Sequence, residues 1–93
     1  MASKQGKYVV VRTYSAGVYC GVLQGRLKGR EATLTEVRLI HSWTGAKTTL
    51  DLATAGPATA NMSATALKVV LPEVIAVIDA TVKAEKVLRE LPV

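Results

Sequence analysis

The sequence predicts a small, mainly β domain with a short helix near its middle and a longer helix at its C-terminal end. Three observations lead to that fold class. β-Branched and aromatic residues gather in short runs, glycine-containing turns separate those runs, and a 3.6-residue apolar period is confined to the last part of the chain. The 93 residues are enough for one domain.

The first half of the chain predicts an antiparallel meander of three strands. Residues 1–6 are polar and are expected to be a flexible lead-in to a single β-rich domain over residues 7–93. Turns at residues 15–17 and 28–31 each contain a glycine, which tolerates the positive φ that tight turns need. The strands are expected over Tyr8–Tyr14, Val18–Lys28 and Ala32–Ile40.

Irregular pairing is expected in the second and third strands. Gly21 and Gly25 interrupt the second strand, and a glycine inside a strand favours a bulge or the close approach of another backbone. The apolar alternation of the third strand fails between Leu34 and Val37. A bulge there would restore the register of the apolar side chains.

A short helix is predicted after the third strand. Thr48 or Thr49 can cap its start, Gly56 can close it, and a proline follows directly. Residues 58–63 are small and polar, and they are expected to form a loop.

Two strands and the C-terminal helix complete the predicted domain. The strands are expected over Thr65–Leu71 and Glu73–Ile78, with Pro72 between them at an edge or kink. The helix is expected over residues 79–91, capped by Asp79 or Thr81. Its apolar face recurs at helical spacing and consists of Ala84, Val87, Leu88 and Leu91.

The composition indicates that the core is thin. Hydrophobic residues make up 49% of the chain, but many are Ala and Val and none is Phe. A short chain with such a core has modest stability, and assembly with further copies is a natural way to bury more surface.

Charge is distributed unevenly along the chain. Residues 1–50 carry eight basic and two acidic side chains, whereas residues 51–93 carry four basic and five acidic ones. Basicity concentrated in one part of a small chain indicates a polyanionic partner. A solvated, solubilising surface is the alternative interpretation.

The chemistry-bearing residues argue against an enzyme. Cys20 is the only thiol and His41 the only imidazole, and the seven acidic residues show no metal-ligand spacing. Cys20 shares a predicted strand face with Val18 and Val22, which indicates an inert core thiol. We therefore expect no cofactor and no metal. A lone cysteine and the lack of an apolar leader or membrane span favour the cytoplasm.

The residues around the only tryptophan are a candidate ligand site. His41 and Trp43 are two positions apart, so on a regular strand they face the same side and together would stack a planar ligand. Lys47 follows closely and is placed to meet an anion near Trp43. The alternative is that Trp43 anchors the core or a subunit interface.

Two sequence blocks, read together, resemble a family of small uncharacterised proteins encoded by phages and prophages. The first is YVVVRTYSAGVxxGxL, from Tyr8 to Leu23, and the second is RxIxxWxGAxTxxxLAxxG, from Arg38 to Gly56. The resemblance extends over about residues 8–90. The chain departs from the family pattern at Leu39, His41 and Ser42, where the family has more basic or aromatic residues.

A looser resemblance concerns the trp RNA-binding attenuation protein family. Residues 8–25 are similar to its first strand–turn–strand segment, and residues 65–70 are similar to its SAIKVR strand. That family implies a β-sandwich subunit whose sheets join into a closed ring of about eleven copies. It also implies tryptophan bound between subunits and RNA around the rim. Lys68 matches one RNA-binding lysine, and Val70 stands where the partner arginine would be.

These observations predict a phage-encoded, non-enzymatic ring protein that binds RNA or another nucleic acid and has no membrane partner. The basic residues expected to carry that binding are Lys68, Arg26, Lys28, Arg30 and Lys47. One alternative is a sponge that sequesters a nucleotide-like ligand at subunit interfaces through Arg12, Arg38, His41 and Trp43. Another is a structural or assembly protein of the phage.

Overall fold

A computed structural model describes residues 7–14, 17–25 and 28–93 of the chain. The predicted lead-in at residues 1–6 therefore lies outside the described residues. The described part contains β1 (Tyr8–Thr13), β2 (Val18–Leu23), β3 (Ala32–Thr44), α1 (Thr49–Thr54), β4 (Thr59–Met62), β5 (Ala66–Leu71), β6 (Val74–Asp79) and α2 (Val82–Glu90).

The strands form a single antiparallel sheet, in the order β4-β3-β2-β1-β6, with β5 also paired to β3. The mainly β class with two helices is thus confirmed, and so is the meander of the first three strands. β3 is the centre of the sheet because it pairs with three other strands.

β4 and β5 lie one after the other along the same edge of β3. β5 pairs with Ala32–Val37, and β4 pairs with Ile40–Thr44. Ser63 bridges the break between them, since its backbone N–H donates to Leu39 O at 3.0 Å and its hydroxyl accepts from Leu39 N at 2.9 Å. The prediction of a loop over residues 58–63 is therefore wrong for Thr59–Met62. Pairing with a distant strand supplied the hydrogen bonds that local strand propensity did not indicate.

The second and third strands also end at other residues than predicted. β2 ends at Leu23 instead of continuing to Lys28, and β3 continues past Ile40 to Thr44. The extra length of β3 is the part that pairs with β4.

Both expected irregularities are present where β2 meets β3. The register shifts between Cys20 and Val22, and Glu36 takes a positive φ of 50°. A Cβ added to Gly21 would lie 2.9 Å from Thr35 O and 3.0 Å from Val37 Cα. The glycine is therefore required by the close approach of β3, and the bulge predicted between Leu34 and Val37 is confirmed.

The sheet is curled, and it carries a separate hydrophobic core on each face. β5 and β6 lie at opposite ends of the sheet, yet only two residues join them, so the two ends must come together. Side chains enclosed by that curl form the inner core: Val9, Val11, Ala32, Leu34, Val37, Leu71 and Val74. The helices cover the other face and form the helix-side core: Tyr8, Val10, Cys20, Val22, Ile40, Leu52, Ala53, Met62 and Leu88.

Local capping explains where the helices begin. Thr48 caps α1 in a reciprocal capping box with Asp51, and Gly56 follows the last turn at a φ of 82°, as predicted. α2 is capped by Thr81, one of the two predicted caps, whose hydroxyl accepts from Ala84 N. The helix starts later than residue 79 because Asp79 still belongs to β6.

Candidate ligand cleft and basic surface

Trp43 lies near the end of β3, just beyond a bulge. The register with β4 shifts between Ile40 and Ser42, so Ile40 and Trp43 both pack toward the helix-side core although they are three positions apart. His41 is exposed. The expectation that His41 and Trp43 face the same side is therefore wrong, because the bulge adds one residue to the alternation. Trp43 is half-buried, as expected for a core anchor.

The segment that follows Trp43 is held by specific contacts. Trp43 Nε1 donates to Ala46 O at 3.0 Å. Gly45 has a φ of 84°, and a Cβ there would lie 2.7 Å from Ala58 N, so another residue would be strained at this position. The Asp51 carboxylate accepts from the backbone N–H of Lys47 at 3.2 Å. These contacts fix the backbone from which the Lys47 side chain projects.

A cleft of about 390 Å³ lies beside Trp43. Its lining consists of Arg12, Val18, Trp43, Lys47, Thr48 and Thr49. Arg12 enters it from β1, on the strand face shared with Tyr8 and Val10, and Lys47 enters from the segment before α1. The cleft therefore places two cations next to the only indole of the chain.

The cleft unites residues that the sequence assigned to two different sites. Arg12 and Trp43 belonged to the predicted nucleotide site, whereas Lys47 belonged to the predicted nucleic-acid set and was also expected to meet an anion near Trp43. Sequence reasoning missed Thr48 and Thr49 as lining residues. The helix-capping pattern did mark this pair, but only as a structural feature.

Arg38 does not join this cleft. Arg38 is buried, with 4% of the residue exposed. Its Nε donates to Ser63 O at 2.9 Å, and its Nη1 donates to Leu88 O at 2.9 Å. The guanidinium thereby satisfies carbonyl oxygens at the end of α2 and at the break between β4 and β5. Arg38 holds α2 on the sheet instead of facing a ligand.

The predicted nucleic-acid residues are spread along β3 and do not form one patch on the subunit. Lys28 and Arg30 are exposed in the turn that precedes β3, and Lys47 follows its other end. Lys68 is exposed on β5, where it pairs with Thr35 of β3. Arg26 lies outside the described residues.

Three acidic side chains of the described surface form ion pairs, whereas five of its exposed cations do not. Asp79 pairs with Lys7 at 3.0 Å. Arg89 pairs with Glu85 at 2.8 Å and with Glu36 at 2.6 Å. In residues 7–14, 17–25 and 28–93, no ion pair neutralises the exposed cations Arg12, Lys28, Arg30, Lys47 and Lys68.

Cys20 is a core thiol, as predicted. It is fully buried, and the Tyr8 hydroxyl donates to its Sγ at 3.3 Å. Burial raises the pKa of the Cys20 thiol, and it also raises the pKa of the Tyr8 phenol. A protonated, inaccessible thiol does not act as a nucleophile. No group of three His, Cys, Asp or Glu side chains comes together within the described ranges.

The fold and these surfaces define a small antiparallel β protein with a basic exterior and a cationic, aromatic cleft. The chain belongs to the family described as a domain of unknown function, DUF6948, whose model matches residues 6–88. No curated protein and no solved structure matches the chain. Neither α1 nor α2 is long and apolar enough to cross a membrane, nor is any other helix in the described residues.

Proposed function

We propose that the protein is a non-enzymatic nucleic-acid-binding protein of a phage or prophage, that it works in the cytoplasm, and that RNA is its leading partner. The observation that carries the proposal is the imbalance of the described surface. Its ion pairs engage Glu36, Glu85 and Asp79, while five exposed cations on the sheet and its loops have no partner of opposite charge. Such a surface attracts a polyanion.

Unpaired cations suit this partner for an energetic reason. A lysine or arginine that meets a phosphate releases condensed counterions, and it does not have to break an existing ion pair first. Lys28 and Arg30 lie together on the turn before β3. Lys68 lies on β5, which pairs with the first half of β3, and Lys47 follows the other end of β3. A nucleic-acid strand that contacts several of these cations would gain affinity from each contact.

Assembly into a ring belongs to the same proposal, and the free strand edges support it. β5 pairs only with β3 and β6 only with β1, so each leaves one edge unpaired within the described chain. Apolar side chains on these strands are open to solvent: Leu67 is 89% exposed, Ile75 50% and Val70 46%. Edges of this kind pair with other chains unless they are covered.

The ring would turn weak contacts into strong binding. Copies of the subunit joined edge to edge, in the β-sandwich arrangement that the resemblance implies, would repeat Lys28, Arg30 and Lys68 at regular intervals. One contact per copy then acts with the avidity of the whole assembly.

A structural role in phage assembly is a second candidate, and the same free edges favour it. In that case the edges would pair with another virion component, and the protein would be found in purified particles. Its absence from particles, combined with nucleic-acid binding in solution, would decide for the first proposal.

The test compares two double charge reversals. Lys28→Glu with Arg30→Glu removes the cations of the turn, and Lys83→Glu with Lys86→Glu makes the same charge change on exposed positions of α2. Binding of a labelled single-stranded RNA is followed by fluorescence anisotropy at about 50 and 200 mM salt. Native mass spectrometry of each variant reports its subunit number.

We expect the turn variant to lose at least about tenfold in affinity and the α2 variant to lose much less, with the subunit number unchanged in both. The affinity of the unaltered protein should fall steeply with salt, because phosphate contacts displace counterions. Binding that ignores salt, or no binding to any nucleic acid, would refute the proposal.

A further inference from the structure

We propose that the cleft beside Trp43 is a separate binding site for one nucleoside phosphate, with the base against the indole and the phosphate between Arg12 and Lys47. This inference does not depend on polymer binding by the turn at Lys28 and Arg30. It concerns residues at the other end of β3, which share one cleft.

Trp43 offers a fixed apolar surface for a base. The indole packs partly against the helix-side core, and its Nε1 is occupied by Ala46 O at 3.0 Å. The same side chain also lines the cleft. One part of the indole therefore packs against the core while the side chain also borders the cleft, which is an arrangement that suits aromatic stacking of a base.

Arg12 and Lys47 supply the charge that a phosphate needs. They come from different elements and reach the same cleft, and neither makes an ion pair with another described residue. The lining of the cleft contains no acidic side chain, so a bound phosphate would meet two cations there. The planar guanidinium of Arg12 also matches the geometry of two phosphate oxygens.

The size and polarity of the cleft fit one nucleotide. Its volume of about 390 Å³ lies in the range of small-molecule sites, which begins at about 300 Å³. Thr49 lines it, and no hydrogen bond engages the Thr49 hydroxyl in the described part of the chain, so it is available to a sugar hydroxyl. The Thr48 hydroxyl, by contrast, accepts from Asp51 N in the helix cap.

Backbone hydrogen bonds hold the segment that carries Lys47. Asp51 holds Lys47 N at 3.2 Å and Thr48 N at 3.3 Å, and Ala58 N donates to Thr44 O at 2.8 Å. A segment that is already fixed loses little conformational entropy on binding. The cleft therefore resembles a formed site more than an incidental surface depression.

Trp43 makes the test direct, because it is the only tryptophan in the chain. Its fluorescence, excited where nucleotides do not absorb, is titrated with adenosine monophosphate, adenosine, inorganic phosphate and an oligoadenylate. Isothermal calorimetry repeats the titrations on Trp43→Leu, Arg12→Ala and Lys47→Ala. Arg30→Ala is the matched control, since it removes an exposed cation at the opposite end of β3.

We expect adenosine monophosphate to quench Trp43 saturably and to bind at least about tenfold more tightly than adenosine or phosphate alone. Arg12→Ala and Lys47→Ala should each weaken it about tenfold or more, Trp43→Leu should abolish it in calorimetry, and Arg30→Ala should leave it unchanged. Circular dichroism confirms that each variant is folded.

Three outcomes would refute the proposed site. They are equal affinities for adenosine and its monophosphate, binding of the oligoadenylate alone, and no effect of Arg12→Ala and Lys47→Ala. The double reversal at Lys28 and Arg30 separates the two proposals. The double reversal should weaken RNA binding and leave the affinity for adenosine monophosphate unchanged. If the unaltered protein binds RNA but does not bind adenosine monophosphate, only this inference is refuted.

Discussion

Arg38 Nη1 donates to Leu88 O at 2.9 Å, which joins the middle of β3 to the last turn of α2 across 50 residues of sequence. Arg38 Nε donates to Ser63 O at the same distance. A single buried side chain thus connects the central strand to the C-terminal helix and to the break between β4 and β5.

We predict that Arg38→Met destabilises the protein by about 3 kcal/mol, because it removes charged hydrogen bonds and leaves two or more carbonyl oxygens without a donor. Urea unfolding measures the free-energy change. Arg30→Met is the control, because it makes the same replacement at an exposed position and should change the free energy of unfolding by less than about 0.5 kcal/mol. Equal effects of the two substitutions would contradict the structural role of Arg38.

The buried thiol predicts a loss of stability at alkaline pH. Burial is the largest cause of the raised pKa of Cys20, against which the hydrogen bond from Tyr8 acts in the lowering direction. Unfolding restores an ordinary thiol, with a pKa of about 8.5. The folded form therefore keeps its proton at a pH where the unfolded form releases one. The stabilisation is complete below about pH 8.5 and falls as the pH rises above it.

Cys20→Val should flatten this pH dependence, measured as the free energy of unfolding in urea between about pH 7 and pH 10. Thiol labelling provides an independent measurement. Cys20 should react slowly in the folded protein and rapidly in denaturant, because it is fully buried. Rapid labelling of the folded protein would show that the thiol is accessible.

The contact between Gly21 and β3 predicts a steric cost for any side chain at that position. A methyl group there would meet Thr35 O at 2.9 Å and Val37 Cα at 3.0 Å, and both are backbone atoms that cannot turn away. We expect Gly21→Ala to destabilise the protein by about 2 kcal/mol. Gly29→Asn is a suitable comparison, since Gly29 has open space around it and asparagine tolerates its φ of 63°. It should cost much less, as judged by thermal or urea unfolding.

The proposed ring predicts that a charge placed on the free edge of β5 disrupts assembly. Leu67 is 89% exposed on a strand that has one unpaired edge, so Leu67→Lys should lower the subunit number seen by native mass spectrometry. Leu50→Lys is the matched control, because Leu50 is also an exposed leucine, at 62%, but lies on α1. Both variants should keep the circular dichroism spectrum of the parent. An assembly that resists Leu67→Lys but not Leu50→Lys would place the interface on the helices.

The sequence by itself determined the features that depend on neighbouring residues. The meander follows from alternating apolar runs and glycine turns, and the cap at Thr48 follows from side-chain chemistry within one helical turn. A break in the apolar alternation indicated the bulge between Leu34 and Val37. The position of Cys20 on an apolar strand face indicated that it is buried.

Only the tertiary structure decided the features that depend on distant partners. β4 became a strand because β3 supplied its hydrogen bonds, and the same pairing introduced the bulge that turns Trp43 away from the side of His41. Arg38 has a structural role because a carbonyl oxygen in the last turn of α2 accepts a hydrogen bond from its guanidinium. The cleft exists because the sheet brings Arg12 beside the segment that carries Lys47. The local periodicity of the sequence does not predict these long-range contacts, because they depend on hydrogen bonding and burial between segments that are far apart in the chain.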